Sequence, residues 1–278
     1  MFVDTHLHLA DSQFDADRET ALQRAREAGV TAFVEIAESP GVWSRAVELA
    51  DRHPDVYASL GIHPHYAHDV GPAQWSGLET ELRRWLRHPK VVAVGEFGLD
   101  YFRMRNTAEQ QAFLFRAQLT LAKEMDKPVV IHCREDTAPG AHRTASAHAD
   151  VRKALFEAYP DTAPGLECPR PAGVIHCFSG TWSDAQAYMM HGFMLGIDGP
   201  VTYPNAKTLH DNVTRMPLTR LVLETDSPYL PPQSRRGERN DPTAIPVIGG
   251  AVATLKHKSA DDVAQQTTKN ARALFRFP

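Results

Sequence analysis

His6-Leu7-His8 sets two imidazoles two residues apart near the start of the chain. On an extended backbone that spacing turns both rings to one side, where they can address one cation. The pair alone is a weak signal: with 14 histidines in 278 residues, chance supplies roughly 0.7 such spacings. His63-Pro64-His65 is indeed a second instance. For any one of these histidines, a hydrogen-bonded or solvated ring is the plainer reading. Their company changes the balance. His63, Glu96, His132, His176 and Asp226 each stand at or just after the end of a short apolar run, as His6 and His8 do. Four of the histidines with the two carboxylates make a ligand set for two divalent ions, and such a set suits metal-assisted hydrolysis.

The apolar runs are the elements that must position these residues. Eight read as strands: Phe2 to Asp4, Ala32 to Ile36, Val56 to Leu60, Val91 to Gly95, Val129 to Ile131, Val174 to Ile175, Phe193 to Gly196 and Leu221 to Leu223. Several are almost continuously apolar, as parallel strands covered on both faces must be. Helical spacing separates them. Glu109 to Met125 is the clearest case, with Leu114, Ala117, Leu121 and Met125 on one face. An eight-fold alternation in a chain of this length predicts an α/β fold, a single (β/α)8 TIM barrel over residues 1–278. In that fold residues following the strands gather at the C-terminal face, where active sites are built. An open doubly wound sheet is the alternative, but the chain has no Gly-x-Gly-x-x-Gly or Walker A segment to support its nucleotide-binding forms.

Composition limits the functions open to such a barrel. With 42% hydrophobic and 23% charged residues, the chain can bury a sizeable core. No apolar stretch approaches the roughly 20 residues of a membrane span, and the start of the chain lacks the basic and apolar regions of a signal peptide. A cytoplasmic protein without a membrane partner or an obligate protein partner is expected. The net charge of -4 means that a polyanionic substrate needs local positive charge. Cys133, Cys168 and Cys177 are odd in number and lack metal-knuckle spacing, which excludes a disulfide framework and a cysteine zinc module. Cys133 and Cys177 each follow a candidate ligand histidine, so they are expected to point outward beneath the helices as unreactive apolar groups. Asp136 to Ala149 and Pro160 to Ala172 read as insertions, each containing Asp-Thr-Ala-Pro-Gly. The first would lie on the active face as a candidate substrate loop, the second on the opposite face.

Asp4-Thr5-His6-Leu7-His8, Gly61-Ile62-His63-Pro64-His65, Gly95-Glu96-Phe97-Gly98-Leu99-Asp100-Tyr101 and His132-Cys133-Arg134-Glu135 are followed by His176-Cys177-Phe178-Ser179-Gly180 and Glu224-Thr225-Asp226-Ser227-Pro228-Tyr229. Arg236-Gly237-Glu238-Arg239-Asn240-Asp241-Pro242 and Asn270-Ala271-Arg272-Ala273-Leu274-Phe275 complete the series. Together, and in this order, these segments resemble the TatD-type metal-dependent deoxyribonucleases over essentially the whole chain. The resemblance implies a TIM barrel holding two divalent ions, manganese, magnesium or zinc. His6, His8, Glu96 and Asp226 would hold the first, and Glu96, His132 and His176 the second, with Glu96 bridging. Related hydrolases often bridge with a carbamylated lysine, but Lys90 lies at the wrong end of its strand. The departures are Phe97, where the family usually has an aliphatic residue, and the insertion after Glu135.

The resemblance further implies single-stranded DNA, degraded from its 3′ end, as substrate. In that chemistry Asp226 would accept a proton from the attacking water, and His63 would contact the phosphate or protonate the leaving oxygen. Arg134 and the cluster Arg235, Arg236 and Arg239 would meet flanking phosphates, and Tyr101 or Phe102 would stack a base. Two competing readings use the same residues. One is hydrolysis at carbon, by an amidase, a lactonase or a deacylase of misacylated tRNA such as a D-aminoacyl-tRNA deacylase. The other is a metal-holding scaffold without turnover.

Overall fold

Each of the eight apolar runs forms a strand. The computed structural model describes residues 1–136, 146–160 and 170–277, and in it the strands lie parallel in sequence order. They are β1 (Phe2–Leu7), β2 (Val30–Ala37), β3 (Val56–Leu60), β4 (Val91–Asp100), β5 (Val129–Arg134), β6 (Gly173–Ile175), β7 (Phe193–Ile197) and β8 (Leu221–Leu223). A bridge between Leu7 and Ser227 brings the β8 end back to β1 and closes a TIM barrel. The first four helices, α1 (Arg18–Glu27), α2 (Trp43–Arg52), α3 (Pro72–Trp85) and α4 (Ala108–Glu124), follow the first four strands in turn. Then come α5 (Ala147–Ala158), α6 (Trp182–Met190) and α7 (Lys207–Arg215), and after β8 a pair, α8 (Ile245–Lys256) and α9 (Ala260–Phe275). Among the described residues no helix is long and apolar enough to cross a membrane.

Strand alternation sorts the side chains. Along β5, Val130 packs with the barrel interior while Val129, Ile131 and Cys133 join the layer between strands and helices; His132 and Arg134 continue the inward series to the mouth. Leu274, Phe275 and Phe277 at the end of α9 pack with Val3, Val34, Val92 and Val222 inside the barrel. The Asn270-to-Phe275 segment is thus a structural seal at the end opposite the mouth. Asn270 adds two donations from Nδ2, to the carbonyls of Leu218 (2.8 Å) and Leu221 (2.7 Å).

The α4 face differs from the apolar stripe expected of it. Ala117 and Met125 are only partly buried, whereas Gln111 and Gln118 are 1% and 0% exposed. The reason is polar. Gln118 accepts from the Ile62 N–H (2.8 Å) and donates to its carbonyl (2.9 Å). Gln111 does the same for Asp100, at 2.7 Å and 3.0 Å. Each amide satisfies a backbone donor and acceptor at a strand exit that would otherwise be buried unpaired.

Residues 137–145 and 161–169, the bulk of the two expected insertions, lie outside the described residues, as does Cys168. The end of the first is ordinary helix: Ser146 caps α5 by accepting from the Ala149 N–H. His148, the second residue of the helix, is 1% exposed, with Nδ1 3.2 Å from Cys133 Sγ and 3.1 Å from Tyr188 Oη. Burial lowers its pKa from 6.5 to about 4. Between those values the unfolded chain holds a proton that the folded chain refuses, so stability falls as pH drops from 6.5 toward 4. A shift of this size is worth about 3 kcal/mol over the full window. Urea midpoints of the wild type and His148→Gln at neutral pH and near pH 4.5 are expected to show the wild type losing more. Equal losses would contradict the assignment.

Candidate metal centre

The mouth is assembled from strand ends whose polar residues continue the strands past their apolar runs. His6 lies within β1 and His8 one residue beyond it. Asp4 ties β1 to the β8 exit: it accepts from the Thr225 N–H (3.0 Å) and Oγ1–H (2.6 Å). Burial pushes the Asp4 carboxyl up to about 8 against those hydrogen bonds. Glu35 of β2 accepts from the N–H groups of Leu9 (2.6 Å) and Ala10 (3.0 Å), fixing the turn that carries His8. His8 Nδ1 meets the Ile36 carbonyl at 3.3 Å, which leaves Nε2 facing the site. Two glycines make room for the crowded strand ends. A Cβ at Gly98 would overlap the His132 carbonyl oxygen, and one at Gly196 would overlap the Glu224 carboxylate.

Glu96 stands at the centre. Its Oε1 is 2.7 Å from His132 Nδ1 and 3.8 Å from His63 Nε2, and its Oε2 is 3.2 Å from His6 Nε2. Asp226 Oδ1 lies 3.3 Å from His8 Nε2 and 3.7 Å from the Nε2 atoms of both His6 and His176. Three triads have ligand atoms within 4.8 Å of one another: His6, His8 and Glu96; His63, Glu96 and His132; His6, His176 and Glu224. The buried His6 ring makes no hydrogen bond through either nitrogen. A polar group so placed is costly to bury unless it serves as a ligand, so the residues present fit a divalent-cation site.

The electrostatics agree with that fit. Burial alone would raise Glu96, but the charges of His176 and His6 hold it well below the usual carboxylate range. Asp226 is lowered in the same way, chiefly by its His8 hydrogen bond. Burial pushes His132 down, yet Asp100 and Glu96 carry it up to about 9. His63 has no such rescue: burial and the neighbouring His132 charge leave it well below its ordinary value.

All six residues expected as metal ligands are brought together at the mouth, with His63 close beside Glu96 and His132, and His176 close beside His6 and Glu224. His176 follows the short β6, stacks on His6 with ring centroids 3.4 Å apart, and turns Nδ1 to Glu224 Oε1 at 2.9 Å. Of the substrate candidates, Arg134 lines the mouth. Tyr101 does not: it is buried, and its hydroxyl donates to Asp150 at 2.8 Å. Arg239 is forked onto Asp17, Arg235 is paired with Asp241, and Arg236 lies over the Tyr203 ring. Arg235 and Arg239 are thus tied to acidic partners around the loop after β8, whereas Arg236 is exposed. Phe97 points away from the mouth against Phe115 of α4. Lys90 donates to carbonyls at the far end of the barrel.

Cys133 is buried behind β5 as expected, and burial raises its thiol. Cys177 departs from expectation: β6 has already ended, and the residue sits half-buried in a turn at φ 45°, its N–H donating to Glu224 Oε1 at 2.6 Å.

Sequence reasoning gave no role to Asp100, His65, Glu224, Arg103 or Arg105. Asp100 is buried and its Oδ2 lies 2.9 Å from His65 Nε2 and 3.2 Å from His132 Nε2, orienting both rings. Its position two strand periods beyond Glu96 was the available signal. Arg103 and Arg105 line a cavity of about 530 Å³ with Arg134 and the histidines.

The family model described as TatD related DNase matches residues 3–276. The metal-dependent hydrolase YabD of Bacillus subtilis is 35% identical over 281 residues, covering all of both chains. The 3′-5′ ssDNA/RNA exonuclease TatD of Pantoea vagans is 37% identical over 282 residues, covering 99% of each. Among solved structures, the TatD homologue YjjV of Escherichia coli superposes with a TM-score of 0.86 at 34% identity, covering 100% of this chain and 98% of that one. A barrel with this donor set and end-to-end similarity to such relatives belongs to the TatD-related DNase family of metal-dependent hydrolases.

Proposed function

We propose that the protein is a 3′-5′ exonuclease of single-stranded DNA that works with two divalent ions. The observation that carries this reading is the convergence of His8, His63, Glu96, His132, His176 and Asp226 with three arginines around one cavity, with His6 buried against them, beside a relative whose name states that activity. His6, His8, Glu96 and Asp226 would hold one ion, and Glu96, His132 and His176 the other, with His63 close to the second. Bound there, divalent ions would neutralise the scissile phosphate and lower the pKa of the attacking water. The remaining work belongs to the chain. Asp226 accepts the water's proton. His63 Nδ1 accepts from the His65 N–H at 3.2 Å, so its ring proton sits on Nε2, aimed at the centre. With its lowered pKa, His63 is a neutral donor to a phosphate oxygen. Arg134 and its two neighbours bind flanking phosphates.

The test is a 5′-labelled single-stranded oligonucleotide given to metal-stripped protein resupplied with manganese, magnesium or zinc. A ladder shortening from the 3′ end is expected with at least one ion, together with an unchanged circular dichroism spectrum after stripping. No cleavage by protein shown to carry ions would overturn the reading and favour hydrolysis at carbon, which released amino acid from intact aminoacyl-tRNA would reveal.

A further inference from the structure

The arginines around the mouth come from one side, where the buried Asp100 and Glu96 also line the cavity. Arg103 and Arg105 come from the segment after β4, and Arg134 from the end of β5. Among the described residues lining the cavity, these are the arginines, and no lysine joins them. Arg134 lies over the Phe102 ring at 4.2 Å, and that ring is 42% exposed. In an eight-stranded barrel β8 and β1 lie across from β4 and β5, with β2 beside β1. There the rim is acidic. Glu38, one residue beyond β2, lines the cavity and accepts from Tyr66 Oη at 3.3 Å. Tyr229, beyond β8, lines it too and donates its hydroxyl to Asp11 at 2.9 Å. Tyr229 also meets the His8 ring edge-on at 5.8 Å, so this wall adjoins the candidate ligands. The arginines near Asp11 do not neutralise it: Arg18 and Arg45 both pair with Asp15. Tyr66, in the turn after β3, stands between the two walls.

A single strand carries one negative charge per nucleotide. Seated across this mouth, its body lies against the arginines, where flanking phosphates are attracted and an exposed base finds the Phe102 ring. The nucleoside beyond the scissile phosphate then lies toward Glu38 and Asp11. A sugar hydroxyl can donate to a carboxylate there; a further phosphate cannot, because like charges would be forced together beside a partly dry wall. We infer, resting on the exonuclease reading, that the Glu38 wall makes the enzyme select strand ends carrying a free 3′-hydroxyl and reject ends carrying a 3′-phosphate. The same wall leaves no path for a chain continuing past the site. Terminal cleavage, on this view, is enforced by charge and not by a steric cap.

The experiment compares 5′-labelled single-stranded oligonucleotides of one sequence ending in a 3′-hydroxyl or a 3′-phosphate, using protein loaded with the ion that supports cleavage. For the wild type, kcat/KM is expected to be at least ~10-fold lower on the phosphate-ended strand. Glu38→Gln is expected to shrink that ratio, mainly by speeding the phosphate-ended substrate, and Asp11→Asn to do so to a smaller extent. Arg103→Ala combined with Arg105→Ala should slow both substrates by one factor and keep the ratio. Equal wild-type rates on the two ends would overturn the inference while leaving the exonuclease reading intact, as would a ratio unmoved by Glu38→Gln. Failure to cut either strand would remove both together.

Discussion

Asp226→Asn is expected to lower turnover by about 10²–10⁴-fold, with affinity for a single-stranded oligonucleotide changed by no more than a few-fold. The substitution is chosen for its backbone. Asp226 sits at φ 54°, a left-handed conformation that aspartate and asparagine tolerate better than most residues. Its N–H donates to the His6 carbonyl at 2.9 Å, so the loop remains tied to β1 in the variant. An amide oxygen can still face His8 Nε2, where Oδ1 now lies at 3.3 Å. What asparagine cannot do is take a proton. Single-turnover rates and fluorescence anisotropy separate chemistry from binding, and metal content measured on the same sample separates proton acceptance from ligation. A variant that keeps both ions and cuts at near wild-type rate would move the base to another residue.

Glu96→Gln is expected to abolish the site's ability to hold two ions. Glu96 touches both halves of the donor set, through Oε1 toward His132 and His63 and through Oε2 toward His6. Glutamine keeps the volume and one acceptor but removes the charge that offsets several buried imidazoles. Equilibrium dialysis should show at most one ion per chain in the variant. Thermal unfolding provides a second readout: a ligand at 100 times its Kd stabilises by about 2.7 kcal/mol, so added metal should raise the wild-type midpoint and scarcely move the variant's. Two ions bound to Glu96→Gln with wild-type affinity would show that the carboxylate does not bridge.

How far the sequence could be read depends on what each residue's role leaves in the pattern. Two strands, β3 and β8, fall where their apolar runs fall, because both stop as the apolar residues stop. The runs of β1, β4 and β5 end early, since Thr5-His6, Glu96 to Asp100 and His132 to Arg134 are polar or glycine-containing while still in the sheet. A strand that delivers ligands to a mouth must look polar at that end, so apolarity underestimates its length. The convergence of these side chains on one mouth was legible from position at strand ends. The neighbours of His63 and His176 were not, because they turn on ring orientations set by the His65 N–H for His63 and by Glu224 for His176. The pairing of Arg235 with Asp241 and of Arg239 with Asp17 was not legible either, because these partners meet only on folding. Arg103 and Arg105 carry no motif, and only the end of β4 identifies them.

The glutamine pairs of α4 have a consequence for motion. Ile62 precedes His63, and Asp100 orients His65 and His132, so Gln118 and Gln111 attach two rim segments to a helix packed on β4. Neither segment can lift without breaking two amide hydrogen bonds each and exposing buried groups on α4. Their amide hydrogens therefore exchange with solvent as part of the barrel's cooperative unit, not as independent surface loops. Those two segments of the rim are therefore held in place before any substrate arrives.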